Sequence, residues 1–205
     1  TTSARFANVA FSDGSLLHSF IQRIAHGQPL AVPKEIRRYF ISHTEAAHIS
    51  LLAWLKCSHL EIAIPRFNPQ DGLVDLQTIA DKVVRHFGFK PCYYDNERIA
   101  RSAAATDIPK GLYPVLVTPP DTSGEKPYEE FIGDGEISVE IGLSTVLAVK
   151  HQPPPATTLE RLLDHLSKAL NGDISADRAE IIHMISECIP QFHHFDTGLY
   201  LDARM

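Results

Sequence analysis

Short apolar segments with strand character alternate with amphipathic segments of helical period along most of this chain. Residues 60–64, 90–94 and 113–117 are apolar or alternating runs of strand length. Residues 16–26 and 76–87 instead place apolar side chains at the spacing of one helix face. The fold class that we predict from this order is α/β.

Capping sequences predict where several helices begin. Sequences of the form Ser/Thr-x-x-Glu start at Ser42 and at Thr157, and in such a capping box the hydroxyl and the carboxylate each bind a backbone N–H. Asp75 is a good N-cap for the helix that follows it. Residues 128–132 are predicted to form a short helix, and the pattern of residues 137–149 is ambiguous between strand and helix.

A run of three prolines marks the clearest boundary in the chain. The sequence Gln-Pro-Pro-Pro occupies residues 152–155, and such a run acts as a semi-rigid linker. We therefore predict one region over residues 1–150. Residues 151–205 would form a second region, made of the Pro-rich linker and a helical C-terminal tail.

Composition limits the classes of function. A chain of 205 residues is long enough for one large domain or two small ones. Its hydrophobic content of 44% and charged content of 21% are ordinary for a globular protein. The net charge of −6 gives no support to a nucleic-acid partner, for which a basic face is expected. The longest apolar runs fall short of the roughly 18 residues that span a bilayer, so no membrane partner is predicted.

The cysteines and histidines indicate neither a disulfide framework nor a metal site. The three cysteines lie far apart, and no Cys-x-x-Cys occurs, which favours a reducing compartment over a disulfide framework. The N-terminus has no basic-then-apolar signal pattern, so the expected location is cytoplasmic. His43 and His48 are five residues apart and cannot share one helix face, so we predict no metal site.

Four short motifs lie near the start of the chain. They are Arg-Phe-Ala-Asn-Val at residues 5–9, Ser-Asp-Gly-Ser at 12–15, Arg-Tyr-Phe at 38–40 and Glu-Ala at 45–46. A turn with Asn and Ser side chains, next to a helix N-terminus and an arginine, suits a doubly negative phosphate group. In order and spacing these motifs resemble the C-terminal half of extended short-chain dehydrogenase/reductase enzymes that act on nucleotide sugars. The resembled branch is that of polysaccharide biosynthesis, with UDP-N-acetylglucosamine 4,6-dehydratases and related epimerases.

The resemblance covers roughly residues 3–135 and implies an incomplete enzyme. Enzymes of this family open with a Gly-rich dinucleotide-binding loop and carry a Tyr-x-x-x-Lys catalytic pair, and neither sequence occurs here. We therefore expect the terminal strands of a Rossmann sheet plus a small mixed α/β substrate domain, with a helical C-terminal appendage. The N-terminal dinucleotide-binding half would be absent, and residues 1–150 would be the sugar-nucleotide-binding region.

The resemblance also implies a division of labour in the intact parent. There, NAD or NADP would oxidise the sugar at C4, water would leave across C5 and C6, and hydride would return at C6. We expect this chain alone to hold no cofactor and to bind a UDP-sugar at most. Catalytic residues would come from the N-terminal Rossmann half, in the same polypeptide or in a separate chain.

Four candidate binding residues come from the motifs near the start of the chain. Asn8 could donate its amide to a phosphate or sugar oxygen, and Ser12 and Ser15 could present hydroxyls at the start of a helix. Arg38 is the expected diphosphate clamp, because a guanidinium fork matches paired phosphate oxygens. The ordinary alternatives are a turn Asn, N-capping by Ser15 or Asp13, and exposed arginines.

Three further candidates follow from the resemblance alone. Leu30 and Val32 would lie near the uracil, mainly through backbone contacts. Glu125, in a Gly-Glu-Lys sequence similar to a family loop, would accept hydrogen bonds from ribose hydroxyls. Asp13 stands where the resembled family commonly has an arginine.

Several alternatives stay open at the level of the sequence. The parent could be a nucleotide-sugar 4,6-dehydratase or a UDP-sugar epimerase of the same family, because both share these binding motifs. A non-catalytic sugar-nucleotide binding or assembly module is the alternative from another functional class. It predicts exposed apolar surface where the sheet is interrupted. The identity of the sugar, the choice of NAD or NADP, and homo-oligomerisation are also left open.

Overall fold

The computed structural model describes residues 1–67, 72–121, 126–192 and 198. In chain order the strands are β1 (Ser3–Ala4), β2 (Asn8–Val9), β3 (Leu30–Pro33), β4 (Arg37–Arg38), β5 (Phe40–Ile41), β6 (Glu61–Pro65), β7 (Val74–Asp75), β8 (Lys90–Tyr94), β9 (Leu112–Thr118), β10 (Ile137–Val139) and β11 (Val146–Lys150). The helices are α1 (Leu16–Ala25), α2 (His43–Lys56), α3 (Leu76–His86), α4 (Glu97–Asp107), α5 (Ala156–Leu170) and α6 (Arg178–Cys188). The predicted mixed α/β class is confirmed, while membership of these strands in a larger Rossmann sheet stays a prediction.

One core forms around a parallel sheet with the order β3-β9-β8. Parallel neighbours need a crossover connection, and α4 supplies it between β8 and β9. Helices α1 and α3 pack against β3, so Phe20, Leu30 and Val115 lie together in the core with no exposed surface. The buried Tyr113 donates its hydroxyl to the Gln28 carbonyl at 2.8 Å, which satisfies its one polar atom inside this core.

A second core forms beneath a mixed sheet with the order β1-β6-β11-β10. Strand β1 runs parallel to β6, and β11 is antiparallel to both β6 and β10. Helix α2 packs against β1 and β6, and buries Ile49 and Ala53. Two short two-stranded sheets connect these parts: β2 pairs with β5, and β4 pairs with β7. In sequence, each of these four strands lies between an element of one core and an element of the other.

A bidentate ion pair ties the start of the chain to a late segment. The Arg5 guanidinium donates to both carboxylate oxygens of Glu136 at 2.7 Å, and to the Phe131 carbonyl at 2.6 Å. Glu136 also accepts from the Gly133 backbone N–H at 2.7 Å. The hydrogen bonds from Arg5, with that of Gly133, hold the pKa of Glu136 below its usual value. The pair therefore fixes residues 131–136 against β1.

Helix α2 carries apolar side chains on two opposite faces. Its inner face packs on the mixed sheet through Ile49 and Ala53, while Leu51, Trp54 and Leu55 lie on the outer face. Trp54 is 74% exposed. We call Leu51, Trp54 and Leu55 the outer strip of α2. A helix that is apolar on both sides is typical of a buried layer, and the described part of the chain leaves this strip uncovered.

The two C-terminal helices pack against each other. Arg161 on α5 forms an ion pair with Glu187 on α6, and His165 lies 3.7 Å from Glu180 across the same contact. Helix α5 follows the three prolines directly. These helices agree with the helical tail expected for residues 151–205, although the division into two regions stays a prediction.

Two local predictions are wrong, and one ambiguity is settled. Residues 128–132 form no helix, because the Pro127 carbonyl, which would accept from the first helical N–H, accepts from the Arg37 N–H at 2.9 Å instead. Helix α5 begins at Ala156 with Pro155 as its N-cap, so the capping box at Thr157 does not form. Within residues 137–149 the regular structure is strand and not helix, since β10 and β11 pair antiparallel on either side of an irregular connection. The capping box at Ser42 and the N-cap at Asp75 are confirmed.

The helices also bear on membrane association. Among the residues that the structure describes, no helix combines the length and the hydropathy that a bilayer crossing requires.

We expect Glu136→Gln to lower the free energy of unfolding by about 1.5–3 kcal/mol at neutral pH, the range for hydrogen bonds to charged groups. Because the pKa of Glu136 is lowered in the folded state, its contribution is present above the pKa of an unfolded glutamate. It is lost as the pH falls through the folded-state value. Chemical denaturation at a series of pH values should show the two proteins converging in acid.

Glu140→Gln is the matched control for this prediction. Glu140 also bonds to an arginine, Arg66, but at the exposed surface. We expect its unfolding midpoint to match that of the wild type. Equal losses in the two variants would contradict a special role for the Arg5 pair.

Candidate anion-binding site

A tight turn between β2 and α1 forms the first wall of the site. The Ser12 hydroxyl donates to the Val9 carbonyl at 2.9 Å, and the Ser15 N–H donates to the Ser12 carbonyl at 3.0 Å. Phe11 and Gly14 adopt left-handed backbone conformations with φ of 60° and 71°, which let the chain reverse here. Ser15 then caps α1, because its Oγ accepts from the His18 N–H at 3.3 Å.

Asn8 lies at the centre of the site, on β2. The register of β2 with β5 places it opposite Phe40. Its side-chain amide donates to the Tyr39 carbonyl at 3.3 Å, and to the two carboxylate oxygens of Glu129 at 3.1 and 3.2 Å. Asn8 therefore joins the β2–β5 ribbon to the segment that follows residue 126, and does more than satisfy a local turn.

Arg38 supplies the positive charge of the site. Its side chain is only 18% exposed, and its Nε lies 3.7 Å from a carboxylate oxygen of Glu129. Its Nη1 donates to the carbonyls of Arg37 at 2.8 Å and of Lys126 at 2.9 Å. These bonds hold the guanidinium in one orientation. The neighbouring Arg37 is exposed, as the alternation of an extended segment predicts.

A cavity of about 450 Å³, which we call the smaller cavity, brings these groups together. Its lining consists of Asn8, Val9, Ser12, Asp13, Gly14, Ser15, Leu16, Arg38, Phe40 and Leu76. The N-terminus of α1 lies at its wall, so the positive end of a helix dipole and a guanidinium both act on it. A concave site of this charge suits an anion with several oxygens.

Acidic side chains oppose this positive potential. Glu129 lies against Asn8 and Arg38, and Asp13 lines the smaller cavity itself. The Asp13 carboxylate is fully exposed and lies 3.4 Å from the His18 ring, so solvent screens much of its charge. In this structure the site is thus close to charge balance.

A larger cavity of about 940 Å³ includes Glu129 in its lining. Three packed rings, Tyr39, Phe67 and Phe131, form its aromatic wall, and the Tyr39 and Phe67 rings stack with centroids 4.4 Å apart. Asn8 and Arg38 line only the smaller cavity, while Glu129 lines only the larger one. The Glu129 side chain therefore stands between the two.

Comparison with known proteins assigns the family. Residues 1–151 match the sequence profile of a family described as polysaccharide biosynthesis protein. The chain belongs to that family. The predicted polysaccharide-biosynthesis family is thereby confirmed, while the dehydratase or epimerase activity and the UDP-sugar stay predictions.

A solved structure described as Pen from Bacillus thuringiensis is similar to this chain, with 18% sequence identity and a TM-score of 0.49. The similarity covers 72% of this chain and 39% of the Pen chain, so this chain spans well under half of that relative. No curated protein sequence matches the chain.

The predicted site residues fall into three groups. Asn8, Ser12, Ser15 and Arg38 line the smaller cavity together. Leu30 and Val32 point into the core of the parallel sheet and are absent from the described lining of that cavity, so only their backbone could reach a ligand. Glu125 lies outside the described residues. The binding roles of all these residues stay predictions.

Sequence reasoning missed Glu129, although it makes the closest side-chain contact with Asn8. The available signal was its position four residues after Glu125, within a Glu-Glu pair that follows the predicted ribose-binding loop. Arg5 belongs to the first motif, but its role as a brace for residues 131–136 was also not foreseen.

The donor set bears on metals and cofactors. Among the described residues, no cluster of three His, Cys, Asp or Glu side chains could hold a metal ion. The sequence has no Gly-x-x-Gly-x-x-Gly, and the β2–α1 turn carries a single glycine. That a nicotinamide dinucleotide is held by another part of the parent, and not by this chain, stays a prediction.

We expect Ser15→Ala to lower the free energy of unfolding by about 1 kcal/mol, the usual cost of losing an N-cap side chain. Urea denaturation followed by circular dichroism would measure it. Gln22→Ala, on the exposed face of the same helix, should change stability by less than about 0.5 kcal/mol. A loss no larger in Ser15→Ala than in this control would contradict the capping role.

Proposed function

We propose that this chain is the substrate-binding portion of a nucleotide-sugar 4,6-dehydratase that acts on a UDP-N-acetylhexosamine and makes precursors for polysaccharides. The smaller cavity would hold the diphosphate. The chain alone would bind the nucleotide without catalysing the reaction. The intact parent would use NAD or NADP, held by residues that this chain does not contain.

The convergence of Asn8, Ser12 and Arg38 with the N-terminus of α1 supports this proposal. These groups come from β2, from β4 and from the turn that leads into α1, and they line one cavity. A diphosphate presents oxygens on two phosphorus atoms, so one phosphate can meet the guanidinium while the other meets the turn and the helix end. Family membership supplies the sugar-nucleotide chemistry as an expectation.

The work of these residues in the proposed reaction is positional. Arg38 and Asn8 would fix the diphosphate, and the fixed diphosphate would hold the sugar in one orientation relative to the catalytic half. NAD or NADP supplies the redox chemistry when it is bound to the parent. No proton transfer in the reaction is assigned to residues of this chain.

A UDP-sugar epimerase would use the same binding groups and is the nearest alternative. A non-catalytic module that binds a separately encoded Rossmann partner is favoured by one observation. Strand β1 stands at the edge of its sheet, and the outer strip of α2 is exposed on a helix that packs on β1. A partner that extends the sheet beside β1 would find apolar surface nearby.

We expect Arg38→Ala to weaken the binding of UDP to this chain by about 2–4 kcal/mol, the size expected when one partner of a partly buried charge pair is removed. Isothermal titration calorimetry at low ionic strength would measure it. Arg37→Ala is the matched control, because Arg37 carries the same charge next in the chain but is exposed. Equal affinities of the wild type and Arg38→Ala for UDP would show that Arg38 does not bind the diphosphate.

A further inference from the structure

The Glu129 carboxylate already engages the two polar groups that the proposed site would offer to an anion. It accepts from Asn8 through both of its oxygens, at 3.1 and 3.2 Å, and lies 3.7 Å from Arg38 Nε. These are the two groups that the proposed function assigns to a phosphate. A phosphate that binds Asn8 and Arg38 from the smaller cavity would lie beside a second negative charge, and their repulsion opposes this position of Glu129.

The backbone around Glu129 is held at both ends. On one side, the Arg37 N–H donates to the Pro127 carbonyl at 2.9 Å, and Arg38 donates to the Lys126 carbonyl at 2.9 Å. On the other side, Arg5 binds the Phe131 carbonyl. Movement of the whole segment would break these bonds. A change of side-chain rotamer at Glu129 breaks only its own contacts.

The larger cavity offers the displaced side chain a place to go. Glu129 lines that cavity and is 35% exposed, so its carboxylate can turn away from Asn8 and remain hydrated. Turning costs the hydrogen bonds with Asn8 and the attraction of Arg38. An entering anion replaces both of these interactions.

We propose that Glu129 is a built-in competitor for the anion site and that a nucleotide diphosphate binds by displacing it into the larger cavity. This inference rests on the proposed function of Asn8 and Arg38. An internal competitor lowers the affinity of every displacing anion by the same factor. Weakly held anions such as inorganic phosphate are then excluded at ordinary concentrations, while a diphosphate, which also reaches the α1 end of the smaller cavity, still binds.

Titration of the isotope-labelled 205-residue chain with UDP, and separately with inorganic phosphate, tests this inference. The side-chain amide resonance of Asn8 reports both the contact with Glu129 and the arrival of an anion. In Glu129→Gln we expect that resonance to move before any ligand is added. Both ligands should then bind about fivefold more tightly, the factor that corresponds to losing a partly exposed charge pair.

Glu130→Gln is the matched control, because it removes the same charge from the next residue. Glu130 is exposed and pairs with Lys126 at 3.5 Å rather than with Asn8. It should leave the Asn8 resonance and both affinities as they are in the wild type. If the two variants bound both ligands more tightly by the same factor, the effect would come from the change in net charge alone, and the inference would be overturned.

The remaining outcomes separate this inference from the proposed function. If Arg38→Ala loses UDP binding while Glu129→Gln has wild-type affinities, the nucleotide site is supported and the role of Glu129 as a competitor is overturned. Weaker UDP binding by Glu129→Gln would also overturn the inference and would assign Glu129 to hydroxyls of the ligand. If UDP binds no variant but phosphate binds more tightly to Glu129→Gln, the role of Glu129 as a competitor is supported and the proposed nucleotide-binding function is overturned.

Discussion

Residues 131 positions apart in the chain, Arg5 and Glu136, meet in an ion pair with two hydrogen bonds. Arg5 immediately follows β1, and the same guanidinium binds the Phe131 carbonyl, so one side chain places a segment that has no regular secondary structure of its own. That segment carries Glu129 and Phe131. The carboxylate that binds Asn8 and the aromatic wall of the larger cavity therefore both belong to the segment that this contact holds.

The site balances its charges while no ligand is bound. A half-buried guanidinium beside a helix N-terminus would be costly without an anion nearby, because burial removes the solvation of the charge. Glu129 supplies that anion from within the chain, and the carbonyls of Arg37 and Lys126 occupy part of the fork. The binding groups are thus held in place before a ligand arrives, which reduces the ordering that binding must bring about.

Local signals in the sequence predicted the local structure. The N-caps at Ser42 and Asp75 and the strand at residues 90–94 depend on neighbours within a few residues, and all three were found. The convergence of Asn8 with Arg38 followed from the order of motifs. Glu129 could not be foreseen, because its partner Asn8 lies 121 residues away. The predicted helix at residues 128–132 does not form for the same reason, since Arg37, far away in the chain, binds the carbonyl at its start.

The outer strip of α2 determines the intrinsic tryptophan fluorescence of the chain. Trp54 is the sole tryptophan of the chain, and its ring lies largely in water. Because indole emission moves to shorter wavelength as its surroundings lose polarity, the intrinsic fluorescence of this chain reports on one face of one helix. Helix α2 contributes no residue to the described lining of the smaller cavity. A shift of the emission maximum to shorter wavelength would therefore signal that another surface had covered α2. Binding of an anion at the smaller cavity would leave the emission spectrum unchanged.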